Sequence, residues 1–167
     1  MLVESIEIKI SKKDAMKHIL KKTPLVSRIE QFNKKPKNIH IEYIEFKVLS
    51  YEIISKHKGQ KLFRHEVKKQ NITMLVNTYN GYSESIDIIP ATVKRYIAKS
   101  CIKKSKVDEM YIIEEVKTQI IYFLGNNLKY ESLDRLGIQN IKLIQIKSIY
   151  KPYWVSDFNG KKIYIDA

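Results

Sequence analysis

The chain has little of what interrupts a backbone or builds a reactive centre. Its 167 residues include five glycines, four prolines and one cysteine. A lone Cys101 forms no intramolecular disulfide and supplies no cysteine-rich zinc site. A thiol nucleophile needs a neighbouring base, and nothing in the sequence nominates one. With so few glycines there is no Gly-rich loop to cradle phosphate, and no serine stands in a nucleophile-elbow motif. No apolar run approaches the roughly 20 residues of a membrane helix. The start, MLVESIEIKISKKD, alternates instead of offering a continuous apolar stretch, so it does not read as a signal peptide. The cytoplasm is the default compartment on that ground, with envelope association the alternative if a leader has been removed. The four histidines are His18, His40, His57 and His65. His57 and His65 could meet across a hairpin beside Glu66, but a metal needs at least one more convergent ligand. The expectation is a protein without metal or cofactor, and not an enzyme.

What is abundant is charge of one sign. Lys and Arg number 31 against 18 Asp and Glu, a formal net charge of +13. Such an excess points to nucleic acid or an anionic surface. The excess is spread, however: residues 1–90 hold 17 basic and 10 acidic side chains, and residues 91–167 hold 14 and 8. A binding arm would be lopsided. Abundant Ile, Lys and Asn with scarce Ala, Gly and Pro also follow from an A/T-rich coding sequence, whatever the function. Hydrophobic residues make up 44 %, enough for a packed core.

Periodicity divides the chain into two similar halves. Ile6, Ile8 and Ile10 alternate as in a strand. Ser11-Lys12-Lys13-Asp14 then has the form of a helix start, the hydroxyl and the acid both serving unpaired N–H groups. A loop over Lys34–Asn38 leads into a long β-rich stretch, a turn at Lys58-Gly59-Gln60, and a strand over Ile72–Tyr79. Asn80-Gly81 is the strongest hairpin signal. In the second half Ser105-Lys106-Val107-Asp108 repeats the helix-start pattern. Met110, Ile113, Val116, Ile120, Phe123 and Leu124 fall on one helical face, with Glu114, Glu115 and Lys117 facing away. Gly125-Asn126-Asn127 ends that helix, and strands turning at Asn159-Gly160 close the chain. These patterns predict an α+β protein of two tandem helix-plus-antiparallel-sheet units. Residues 1–90 form the first, 105–167 the second, and a basic, helical connector over 91–104 joins them.

The stretch Tyr150-Lys151-Pro152-Tyr153-Trp154-Val155, followed by Asn159-Gly160 and Ile163-Tyr164-Ile165-Asp166-Ala167, resembles the ending of bacterial PepSY-like, cystatin-like repeat proteins. The match covers about 20 residues at the chain's end, with a weaker echo in the first half. The Thr-Gly customary after the Asp is absent, since Ala167 follows it. The resemblance implies a helix packed on a short antiparallel sheet, often in tandem, and a non-catalytic module that binds or regulates another protein. It brings no catalytic residues.

Two sets of residues emerge as candidate sites. Pro152 marks an edge or a strand start, and Tyr153 and Trp154 after it point to opposite faces. One is core; the other is a candidate anchor for a protein partner, given the weight of Tyr and Trp at interfaces. The second set is Lys94, Arg95, Tyr96, Lys99, Lys103 and Lys104, in a segment from Pro90 to Val107 that holds no acid. Val93, Ile97 and Cys101 are spaced by four there, as in an amphipathic helix whose Tyr96 could stack on a base. A further basic cluster is Lys56, Lys58, Lys61, Arg64, Lys68 and Lys69. The leading expectation is a non-enzymatic interaction or regulatory module for a protein partner or for itself. The alternative is a nucleic-acid-associated protein acting through residues 90–107.

Overall fold

The computed structural model describes residues 1–22, 37–58, 65–127, 137–158 and 161–167. The described chain is mostly sheet. Strand β1 (Leu2–Ile6) is followed by helix α1 (Lys12–Lys22), and then by the long strand β2 (Lys37–Lys58) and β3 (His65–Asn77). Two short strands, β4 (Ser83–Ser85) and β5 (Thr92–Tyr96), precede a 3-10 turn at Lys99–Cys101. Helix α2 (Glu109–Asn127), the long strand β6 (Gly137–Phe158) and β7 (Lys161–Asp166) complete it. The strands form one seven-stranded sheet in the order β4-β3-β2-β6-β1-β5, with β7 also on β6. Pairing is mixed: β1–β5, β2–β3, β3–β4 and β6–β7 are antiparallel, and β1 meets β6 in parallel at Ser5 and Tyr150.

This corrects the expected pair of tandem helix-plus-sheet repeats. Both long strands are 22 residues, far beyond the usual length of about 5–6. Residues 37–58 contain neither Gly nor Pro, so nothing in that stretch ends the strand. Two compact units result, and each draws on several parts of the chain. One comprises Met1–Glu45, Pro90–Lys104 and Ile149–Ala167; the other comprises Phe46–Ile89 and Ser105–Ser148. Each long strand therefore contributes residues to both units.

In the first unit, Ala15 and Ile19 of α1 are wholly buried with Ile39 and Ile165, and Ile10, Trp154 and Ile163 pack against them. The helix starts as its sequence predicts: Ser11 Oγ accepts the Asp14 N–H at 3.2 Å and donates to the Asp14 carboxylate at 2.7 Å. A neighbouring cluster holds Val3, Tyr43 and Ile97, with Cys101, Ile102 and Tyr150 against it. Pro152 is buried inside β6, between Tyr150, which pairs β1, and Tyr153, which begins the pairing with β7. A residue without an N–H suits that change of neighbour, and its carbonyl still accepts from Ala167.

The expected connector helix is corrected too. Thr92–Tyr96 is an antiparallel strand against β1, followed only by the 3-10 turn. Thr92, Val93 and Tyr96 are β-branched or aromatic, and the pairing with β1 overrides a weak four-residue spacing.

In the second unit, Ile112, Val116 and Ile120 of α2 cover Leu49, Tyr51, Ile53, Met74 and Val76. The Tyr51 hydroxyl donates to the Ile113 carbonyl at 3.0 Å. Burial, aided by the charge of Glu114, pushes this phenol up to about 12. The start of α2 differs from the predicted one. Asp108, not Ser105, accepts the Met110 N–H at 2.9 Å, while Ser105 bonds Thr78 at 2.8 Å. The Asn80-Gly81 turn joins β3 to β4 as expected, with Gly81 at φ 75° in the region that favours glycine. The return strand is Ser83–Ser85, which shares only Ser85 with the Ser85–Ile89 stretch that the pattern predicts. The turns expected at 58–60 and at Asn159-Gly160, and the residues Lys61 and Arg64, lie wholly or partly outside the described residues. Register pairs His57 with Glu66 and His65 with Lys58, so the two histidines are not cross-strand partners.

Candidate interaction surface

The two aromatic residues singled out by sequence are both engaged within the chain. The Trp154 indole N–H donates to the Ile10 carbonyl at 2.8 Å, and its ring packs beside Ala15 and Ile19. Tyr153 lies on the other face of β6. Its ring meets Tyr164 edge-on, with centroids 6.1 Å apart at 81°, and Lys151 Nζ sits 5.2 Å from its centroid. Burial raises the Tyr153 phenol above its ordinary value, more than Lys151 opposes it. Burial also works against the charge on Lys151, but Asp166 at 2.9 Å and Tyr153 hold its ammonium above the usual range.

Around these residues lies a polar cluster on the sheet face opposite α1. Ile39, Ile163 and Ile165 pack towards α1; His40, Glu42, Lys162 and Tyr164 alternate with them and face the other way. Glu42 is nearly buried and accepts from His40 at 3.1 Å, Lys162 at 3.0 Å and Tyr164 at 3.4 Å, with Lys103 at 3.5 Å. Burial disfavours its ionisation. The His40 and Lys162 hydrogen bonds and the charges of Lys103 and Lys162 outweigh it, and hold the carboxyl down at about 2. This is a charge-compensated anchor joining β2, β7 and the segment after β5.

Lys103 is thus turned inward, donating also to the Tyr164 hydroxyl at 3.1 Å. The other members of the basic set are spread along the edge of the sheet. Lys94 and Tyr96 are exposed on β5, opposite Glu4 and Leu2; Arg95 is half-buried opposite Val3; Lys99 and Lys104 are exposed beyond the strand. Tyr96 is 82 % exposed.

The most unusual surface lies on α2, where sequence reasoning named no site. Met110, Tyr111, Ile121, Tyr122 and Phe123 are 67, 62, 46, 73 and 60 % exposed. Met110 and Phe123 were expected on the buried face; that face is instead Ile112, Val116 and Ile120, with Ile113 and Leu124 beside it. The outward residues form two adjacent stripes. Met110, Glu114, Lys117 and Ile121 follow the spacing i, i+4, i+7, i+11, and Tyr111, Glu115, Thr118 and Tyr122 follow it one residue later. Each stripe has large apolar side chains at its ends and polar ones in the middle. The signal was available in the sequence: residues 110–124 are apolar on nearly all sides, and a single core contact buries only one stripe.

Among the described residues no group of three or more His, Cys, Asp or Glu side chains is placed to hold a metal ion. No described helix is long and apolar enough to cross a membrane. No family model matches this chain, and no curated protein or solved structure is significantly similar to it.

Proposed function

We propose that the protein is a non-enzymatic interaction module that docks a protein partner on the outer face of α2. The observation that supports this is the exposure of Met110, Tyr111, Ile121 and Tyr122 on a helix whose opposite face already fills the core. Scattered exposed apolar residues need no explanation, but Met110, Tyr111, Ile121 and Tyr122 end two adjacent stripes on one outward helix face, and apolar groups gathered on one face in this way mark an interaction site. Tyr is also among the residues that carry most interface energy. Photoreactive side chains placed at Tyr111 and Tyr122 test the reading in cells, with exposed Glu84 as the control position. Protein adducts at 111 and 122 and none at 84 are expected. Equal labelling at all three positions, or none, overturns it.

A second reading rests on the exposed Tyr96 beside Lys94, with Lys99 and Lys104 further along. These could contact phosphates and stack on a base. Titration with single-stranded DNA at two salt concentrations checks it. Steeply salt-dependent binding that Lys94→Glu and Tyr96→Ala abolish supports this edge; absence of binding at low salt removes it.

A further inference from the structure

The two outward stripes of α2 have the same spacing in either direction, with apolar residues at both ends and an acid that reversal sets opposite a base or a hydroxyl. In the first, Met110-Glu114-Lys117-Ile121, steps of four, three and four residues separate an apolar end, an acid, a base and an apolar end. In the second, Tyr111-Glu115-Thr118-Tyr122, the same steps separate two tyrosines. A stripe of this kind is complementary to its own reverse. We propose that the partner docked on this face is a second copy of the same chain, with the two α2 helices antiparallel about a two-fold axis near residue 116. This rests on the reading of α2 as a docking face and names its occupant.

In an isologous contact each stripe meets its own counterpart running the other way. Met110 then faces Ile121 of the second copy, and Glu114 faces its Lys117. Tyr111 faces Tyr122 of the second copy, and Glu115 faces its Thr118. Every one of these pairs occurs twice. Both tyrosines keep their hydroxyls at the rim while burying their rings, a common use of Tyr at interfaces. The antiparallel arrangement also sets the helix dipoles head to tail. A parallel two-fold pairing fails on charge, since it sets one stripe against the other and places Glu114 of each copy against Glu115 of the second copy. The surface thus selects both the partner and its direction.

Cysteine cross-linking in a Cys101→Ser background gives the geometric test. Residues 110 and 121 lie eleven positions apart, about 16 Å along one helix. A disulfide needs Cα atoms within about 7 Å, so Met110→Cys/Ile121→Cys cannot close within one chain. Mild oxidation of that double variant is expected to give a covalent dimer. Neither single variant should do so, because equal positions are also about 16 Å apart in the antiparallel pair. Equal yields from all three variants overturn the proposal.

Sedimentation equilibrium of the full chain tests the charges. Glu114→Lys and Lys117→Glu should each weaken the dimer about tenfold, and Glu114→Lys/Lys117→Glu should restore it to within about threefold. A protein that stays monomeric up to about 100 μM, or a double variant that stays as weak as the singles, overturns self-pairing. The photo-crosslinks separate this failure from failure of the docking reading. An adduct of twice the chain's mass supports self-pairing. Adducts of another mass sink it and leave the docking face intact; no adducts sink both.

Discussion

Replacing Glu42 by Gln removes one charge from the cluster that ties β2, β7 and the segment after β5 together. In the folded protein the Glu42 carboxyl is held at about 2, against an ordinary value of 4.5. Converted fully, that depression corresponds to about 3 kcal/mol. Lys162 and His40 are about half exposed, so solvent screens part of the attraction, and about 1–2 kcal/mol is the contribution expected. Because the folded value lies below the unfolded one, this contribution is complete above pH 4.5 and is lost as the pH falls towards 2. At pH 6 the Gln variant should lose somewhat more, about 2–3 kcal/mol, because Lys103 is left largely buried without its carboxylate. Urea denaturation of wild type and Glu42→Gln from pH 6 to pH 2 measures both effects. The two stability curves should converge on the acid side. Adding Lys103→Met to the Gln variant should recover about 1 kcal/mol at pH 6. Equal stabilities at pH 6, or curves that stay parallel down to pH 2, would refute the reasoning.

Other expectations follow from the packing. Ile120→Ala leaves a cavity at one of the three buried residues of the α2 contact and should cost about 2–5 kcal/mol in urea denaturation, with the outer face of the helix unchanged. Asp108→Ala removes the group that accepts the Met110 N–H and should cost about 0.5–2 kcal/mol, whereas Ser105→Ala leaves the helix start intact. Comparing the two variants by hydrogen exchange over residues 109–112 checks which residue caps. Trp154→Phe keeps most of the ring but loses the bond to the Ile10 carbonyl, at about 1 kcal/mol in thermal or urea unfolding. A larger loss, with exchange spreading through α1, would show that the indole's shape matters more than its hydrogen bond.

Local chemistry was legible in the sequence, and long-range pairing was not. The Ser11–Asp14 helix start and the Asn80-Gly81 turn were readable because each depends on neighbours within a few residues. Ser105 misled for the same reason: the pattern was right, but Thr78, 27 residues earlier, takes its hydroxyl and leaves the cap to Asp108. The segment after Pro90 read as a helix on a spacing of four. Its pairing with β1, some 90 residues away, could not be seen from that spacing. The repeat units failed because β2 and β6 do not stop where an ordinary strand would. At the candidate site, Tyr153 and Trp154 attracted attention by residue type, yet their neighbours in the fold use them. The α2 face was present as a pattern, but a helix apolar on most sides does not reveal which stripe the core takes.

The partition of the long strands has a consequence for how the protein is made. All of the second unit's chain, Phe46–Ile89 and Ser105–Ser148, is synthesised before the first unit can be completed, because the first needs β6 from Ile149 onward and β7. Strand β1 and helix α1 leave the ribosome early, but β1 meets β6 only at Tyr150 and α1 packs on Trp154, Ile163 and Ile165. Contacts separated by about 145 residues close slowly, since the chain between must first be ordered. During that interval the apolar side of α1, Ala15 and Ile19, lacks its cover. The nascent chain therefore depends on its lysines to stay apart from its neighbours until the last strand arrives.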